Sequence, residues 1–393
     1  MKPIQSYTLP PDKLALAVDY AFARHALYFS ALAFSFLVLA AIIWLRIAPR
    51  LRMRRTWVII AAIWAILTIF DLPASIVGHV LSLHYGISIQ GWPGWFADWL
   101  KAQAISLPVT VLVVLGFYFL LRRSPRRWWL WAWLACVPLI VFSVWVEPFV
   151  VEPLFNDFEP LAKQHPELVA PIERLLHRAA VSIPSNRLYE MRASAKTNAL
   201  NAYVSGFGSS KRVVLYDTII RKEPEPALMT TFGHELGHYV LGHIPKGIGY
   251  ASALMLFGFY LTFLAIRWFV AKWGAHFDVR SPDDPASLPV FALILLLLNF
   301  FSEPIANAFS RMQEHEADRY SLDVTDGILP DPGQAAAQAF QIEGETDLEP
   351  PNPSPFVVFW LYSHPPVAQR LQFALHYKPD PTRLRSAIQS DGK

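Results

Sequence analysis

The chain has 393 residues, 54% hydrophobic and only 17% charged, with a formal net charge of +3. A soluble globular protein carries about a quarter charged residues, so this composition argues against an ordinary soluble enzyme and for a membrane protein. The small net charge gives no reason to expect a nucleic-acid partner. The single cysteine, Cys136, lies in an apolar run, which excludes an intrachain disulfide and a cysteine-built metal site.

Residues 1–24 do not read as a cleavable signal, because Asp12 and Asp19 interrupt the basic region and no small-residue cleavage site follows. Residues 14–24 read as a short amphipathic helix leading into the bilayer. Residues 25–45 carry no charge and are long enough to span. A basic loop with Arg46, Arg50, Arg52, Arg54 and Arg55 follows. The second apolar stretch, 57–83, passes Asp71 and Pro73; at helical rise it covers about 40 Å, so it has to tilt, kink or project. Trp92, Trp95 and Trp99 mark a connector at headgroup level. Residues 105–121 form the third span, 122–127 a second basic loop and 128–146 the fourth span. Asp71 inside a span is costly, and a helix-packing hydrogen bond near a wet space is its plainest reading.

At Glu147 the polarity becomes ordinary. Residues 161–180 have a helical pattern. The stretches 187–192, 201–206 and 212–218 are rich in β-branched or aromatic residues and separated by Ser, Gly and Asn turns. The fifth span is 249–270. The sixth opens at 288–301 and continues helically past Asn299, Glu303 and Asn307 into 310–320, with a kink expected at Pro304. Residues 356–362 are apolar but too short to cross, hence core or interfacial. Acidic, Pro-rich loops at 326–333 and 344–355 flank a short helix rich in Ala and Gln. The expectation is a mainly α, multi-pass membrane protein of about six transmembrane helices with a small three-stranded, mostly antiparallel sheet. Its segments are 1–24, an amphipathic lead; 25–146, four spans; 147–247, the sheet and a functional helix; 248–310, a transmembrane hairpin; and 311–393, the carboxyl-terminal segment.

The functional helix is announced at 231–243, TFGHELGHYVLGH. His234 and His238, four apart, lie on one helical face and can reach one metal ion. Glu235 is placed to face a water rather than the metal. Zinc suits this set, since its catalytic sites use three protein ligands and keep a position open. The third ligand is not ten residues after His234, where Ile244 stands. His243 lies about 180° around a continuous helix from His234 and reads as supporting or solvated.

Two spans separate this helix from SRMQEHEAD at 310–318, so that stretch returns to the same membrane side. Glu314 and Asp318 are four apart on one face, which suits a ligand carboxylate and a second carboxylate orienting a ligand histidine. Glu316 points elsewhere.

HELGHYVLGH, SRMQEHEAD and Ser363-His364-Pro365-Pro366 with Arg370 resemble the membrane-embedded gluzincins called type I CAAX prenyl endopeptidases. Leu72-Pro73, His84-Tyr85-Gly86, Pro153-Leu154-Phe155-Asn156 and Asn201-Ala202-Tyr203 extend the similarity over roughly residues 60–375. Family members often have seven spans, and the chain looks as though it lacks the first. Related stress-induced bacterial proteases share the zinc motifs with fewer preceding spans. The resemblance implies a zinc metalloendopeptidase, one Zn2+ per chain, an intramembrane chamber, and a peptide or protein substrate that is lipidated or membrane-bound. Asp71, Asn299, Glu303 and Asn307 are compatible with a wet cavity between helices.

On this reading His234, His238 and Glu314 hold zinc, Asp318 supports, Glu235 is the general base, and His364 or Arg370 serves the oxyanion. Asn201 and Ala202 form an edge strand for an extended substrate. The alternatives are a membrane quality-control metalloprotease and, in a different class, a transporter or channel with a structural metal. Sidedness is contested. Basic residues cluster in the loops after spans one (Arg46 to Arg55), three (Arg122, Arg123, Arg126, Arg127) and five (Lys272, Arg280), against Lys101 alone between spans two and three and Lys2, Lys13 and Arg24 at the start. That asymmetry puts the zinc helix outside the cytoplasm, whereas the family resemblance puts it inside.

Overall fold

The computed structural model describes residues 3–206, 211–380 and 382–383; Lys2 and the far carboxyl-terminal end fall outside the described residues. Among those described, six helices are long and apolar enough to cross a membrane. The first, α1 (Pro11–Trp44), absorbs both the expected amphipathic lead and the first span into one helix. No Gly or Pro interrupts it after Pro11, so nothing separates the two parts. A short turn of helix, α2 (Ile47–Arg50), leads to α3 (Thr56–His84), which keeps Pro73 inside it. Then come α4 (Trp92–Arg123) and α5 (Trp128–Val146), the latter extended by a π-helical turn at Glu147–Val151 and by α6 (Glu152–Phe155). Large apolar side chains such as Leu112 (69% exposed) and Phe119 (65%) face outward, as a lipid-facing surface requires.

The next unit holds the sheet. Its strands are β1 (Phe158–Pro160), β2 (Leu188–Met191), β3 (Ala202–Ser205) and β4 (Arg212–Tyr216), in the order β1-β2-β4-β3. The sheet is therefore four-stranded and mixed, not three-stranded: β2 and β4 run parallel while both edge pairs are antiparallel. β1 is too short to display alternation. β4 lies between β2 and β3, and β3, paired only with β4 among the described residues, forms an edge of the sheet. The expected helix 161–180 is divided at Pro166 into α7 (Leu161–Gln164) and α8 (Pro166–Arg178). Leu168, Ile172, Leu175 and Leu176 recur at helical spacing and seat α8 in the main core with Leu188, Val213 and Leu215 of the sheet.

After α9 (Asp217–Lys222), α10 (Glu225–Val240) lays Leu228, Phe232 and Leu236 into that core. Two long helices follow, α11 (His243–Phe277) and α12 (Leu288–Thr325), the second running unbroken past Pro304. The chain ends with α13 (Pro332–Thr346), α14 (Pro355–Leu361) and α15 (Val367–His376). In α14, Phe356 and Phe359 are half exposed, while Trp360 packs on Phe300. A cavity of about 600 Å³ is lined by α10, α12, the start of β3, α13, α15, the 361–366 segment and the amino-terminal half of α1.

Candidate active site

Pro224 caps α10 and Pro226 occupies its first turn, where a missing N–H costs nothing. Gly242, at φ 66°, ends the helical path and turns the chain into α11. His243 therefore does not continue around α10. The turn brings its Nδ1 to 2.9 Å from His238 Nδ1, and its Nε2 stands 3.2 Å from Glu316.

α10 and α12 meet through glycines. A Cβ added at Gly233 would stand 3.3 Å from the Ser321 Cα, and one at Gly237 would stand 3.2 Å from the Ala317 Cα. This close approach carries Glu314 and Asp318 to the histidines. His234 Nε2 and His238 Nε2 are 3.1 Å apart, and Glu314 Oε2 and Oε1 lie 3.2 and 3.5 Å from them. One ligand atom from each of His234, His238 and Glu314 falls within 4.8 Å of the others.

The outer hydrogen bonds set the tautomers. His234 Nδ1–H donates to Asp318 at 2.8 Å. On the other side, His243 Nε2–H can donate to Glu316 while its Nδ1 accepts from His238 Nδ1–H. Both Nε2 lone pairs then point into the cluster. Glu314 Oε2 is buried there without an aligned hydrogen-bond donor. Burial alone would lower the His234 imidazole, but the hydrogen bond to Asp318 and the nearby Glu314 carboxylate outweigh it and raise it to about 10. Converging lone pairs and an orphaned carboxylate oxygen both ask for positive charge, so the donor set fits a metal cation of the zinc type.

The remaining residues singled out from the sequence divide. Glu235 is half-buried on the cavity wall; burial raises its carboxyl, with His234 and His238 opposing. His364 is exposed, with its Nε2 3.3 Å from Glu314 Oε2. Arg370 is not free. Its Nε and a terminal nitrogen grip Asp318 at 2.9 and 2.6 Å, and its guanidinium lies 4.4 Å from the Phe340 ring centre. Asn201 and Ala202 line the cavity at the free edge of β3, where the Ala202 N–H donates to Asn201 Oδ1 at 2.9 Å. Glu303 lines the cavity and accepts from Tyr28, whereas Asp71 accepts from Ser75 one turn away, apart from the site.

Sequence reasoning passed over Gly233, Gly237 and Arg311. Arg311 donates to the carbonyls of Val358 and Tyr362, and Asn307 to that of Trp360 at 2.6 Å, which together hold the segment leading to His364. Their placement in and just before SRMQEHEAD was the only available signal.

Comparison with known proteins gives the family and the fold. Residues 162–378 match the model of peptidase family M48, and residues 5–157 match a model described as CAAX prenyl protease N-terminal, five membrane helices. The chain is 34% identical to the Bacillus subtilis (strain 168) protein named "Uncharacterized metalloprotease YhfN", over 93% of this chain and 86% of that one. It is 26% identical to CAAX prenyl protease 1 of Saccharomyces cerevisiae, over 79% of this chain and 69% of the yeast protein. The crystal structure of S. mikatae Ste24p superposes with a TM-score of 0.79 at 21% identity, covering 94% of this chain and 90% of that one, and so shares its fold. The chain belongs to peptidase family M48 and is a membrane metalloprotease.

Proposed function

We propose that this protein is a zinc-dependent endopeptidase, with His234, His238 and Glu314 as the metal ligands and Asp318 orienting His234. The observation that carries the reading is the convergence of those ligand atoms while each imidazole's Nδ1 is already engaged. Zinc bound there supplies Lewis acidity and lowers the pKa of a water to about 7. Glu235 takes the proton of the attacking water on a carboxylate oxygen and passes it to the leaving nitrogen. His364, reaching the cluster from the 361–370 segment, donates from Nε2 to the developing oxyanion. Arg370 acts through Asp318 rather than on the substrate, because both of its gripping nitrogens are committed.

An extended peptide adds to the free edge of β3 at Asn201 and Ala202, displacing the Asn201 side chain from the Ala202 N–H. The basic loops lie on the opposite side from the zinc helix, so we infer that the site faces away from the cytoplasm. Its substrate is then a membrane-associated protein segment on that face rather than a prenylated carboxyl terminus.

The deciding experiment is metal analysis of purified Glu235→Gln, Glu314→Gln and Glu316→Gln variants beside peptide-terminus mapping in cells. Glu235→Gln should keep about one zinc per chain and lose hydrolysis by roughly 10²–10⁴. Glu314→Gln should lose the metal, and Glu316→Gln should keep it. Metal loss in Glu235→Gln, or retention in Glu314→Gln, would contradict the assignment. A reporter fused to the carboxyl terminus that is active only when exported supports the sidedness, and cytoplasmic activity there would reverse it in favour of a CAAX-type substrate.

A further inference from the structure

The segment preceding α1 is stitched to α13 and α15, which line the active-site cavity. Gln334 and Gln341, seven apart and so on one face of α13, each use both ends of the side-chain amide. Gln334 accepts from the Ile4 N–H at 2.9 Å and donates to the Ile4 carbonyl at 3.0 Å. Gln341 does the same with Thr8, at 3.3 and 2.7 Å. From α15, Gln372 donates to the Gln5 carbonyl at 2.8 Å, and Lys13 at the start of α1 pairs with Glu345 at 2.6 Å.

Tyr7 is the plug of this strap. It is 5% exposed and packs in a cluster with Leu322, Phe340 and Leu371. Its hydroxyl donates to the Glu349 carbonyl at 2.7 Å. Gly344 makes room for it, since a Cβ there would stand 2.5 Å from the Tyr7 hydroxyl oxygen. Phe340, in the same cluster, is the ring beneath Arg370, and Arg370 holds the Asp318 that holds His234.

We propose that Tyr7 is a positioning residue of the active site. Its ring seats Phe340 and α15 so that Arg370 meets Asp318, and its hydroxyl fixes the start of the 350–366 segment that delivers His364. A part of the chain more than three hundred residues from Asp318 in sequence thereby sets the orientation of a metal-binding histidine. The inference rests on the zinc-protease reading, but its metal arm can be judged without proteolysis.

The test uses full-length protein in detergent, as Tyr7→Ala, Tyr7→Phe, Gly344→Ala and the double Tyr7→Ala/Gly344→Ala. Zinc affinity is measured by chelator competition, ligand geometry by the visible absorption of the cobalt(II)-loaded protein, and hydrolysis with fluorescein-labelled casein. Tyr7→Ala should weaken zinc about tenfold, the lower end for loss of support to a ligand histidine, and alter the cobalt bands. It should also lower kcat about tenfold while KM stays within about twofold. Tyr7→Phe, which keeps the ring, should restore the metal readings. Gly344→Ala should reproduce Tyr7→Ala by pushing the ring aside, and it carries the test if Tyr7→Ala does not fold. The double variant should be no worse than either single one. Unchanged zinc affinity and cobalt bands in Tyr7→Ala and Gly344→Ala, or additive losses in the double variant, would overturn the proposal. Wild-type protein that binds cobalt yet leaves casein intact would count against the protease reading with this probe, and the metal readings would still decide the role of Tyr7.

Discussion

Gly237 of α10 lies so close to Ala317 of α12 that a Cβ on the glycine would stand 3.2 Å from the Ala317 Cα, which is backbone and cannot swing away. The glycine between Leu236 and His238 is thus the reason that two helices from distant parts of the chain can bring histidine and glutamate together. By helix propensity alone, Gly237→Ala would gain about 1 kcal/mol. The expected result is the reverse, a net loss of about 1–3 kcal/mol through overpacking together with weaker metal binding, because Glu314 rides on the displaced helix. Thermal unfolding and chelator competition measure both; a more stable variant with unchanged affinity would show that the contact relaxes freely.

Asp318 is shared between His234 and Arg370, and it is 3% exposed. Asp318→Ala leaves the Arg370 charge stranded, which costs about 3–5 kcal/mol when a buried pair loses one member. It also leaves His234 unoriented, with metal affinity reduced about 10–100-fold. Replacing Arg370 by Met in the same chain should recover much of the stability and none of the affinity. Recovery of both would mean that Asp318 acts only as a partner for Arg370.

His364 reaches the cluster from outside the two ligand helices, and its neighbours Arg311 and Asn307 hold backbone rather than side chain. His364→Ala should therefore leave metal content and unfolding temperature nearly unchanged. It should lower kcat by more than it raises KM, as for removal of a contact made mainly in the transition state. Steady-state kinetics on the variant decides this, and a pure KM effect would assign His364 to substrate binding.

Asp347 lines the cavity, where burial and the neighbouring Glu343 and Glu349 raise its carboxyl from 3.8 to about 7. A carboxyl raised on folding favours the folded state only while protonated. Its contribution is fully present below about pH 4 and is lost as pH rises through about 7. Unfolding temperature should thus fall across that window for this group, and Asp347→Asn should flatten the slope and be the more stable form at pH 8. Parallel pH curves for the two proteins would refute the expectation.

Much of the site was legible because its spacing is local. Two histidines four apart on a helix share a face whatever the rest of the chain does, and the same holds for Glu314 and Asp318. The count of apolar spans then put both pairs on one membrane side, since each crossing reverses the side. The six membrane-length helices were legible for a related reason: lipid demands long uncharged runs, which composition displays directly.

What the tertiary structure alone decided depends on contacts between residues far apart in sequence, which no local period encodes. β1, three residues long, joins the sheet only because β2 offers it an edge. His243 supports His238 only because Gly242 turns the chain at positive φ. Arg370, a candidate for the oxyanion by resemblance and by chemistry, is held by Asp318 because α15 packs along α13 and over α12. The strap around Tyr7 carries no periodic signal that the sequence displays. Its place is set by side chains of α13 and α15 and by the space at Gly344, all more than three hundred residues away in sequence.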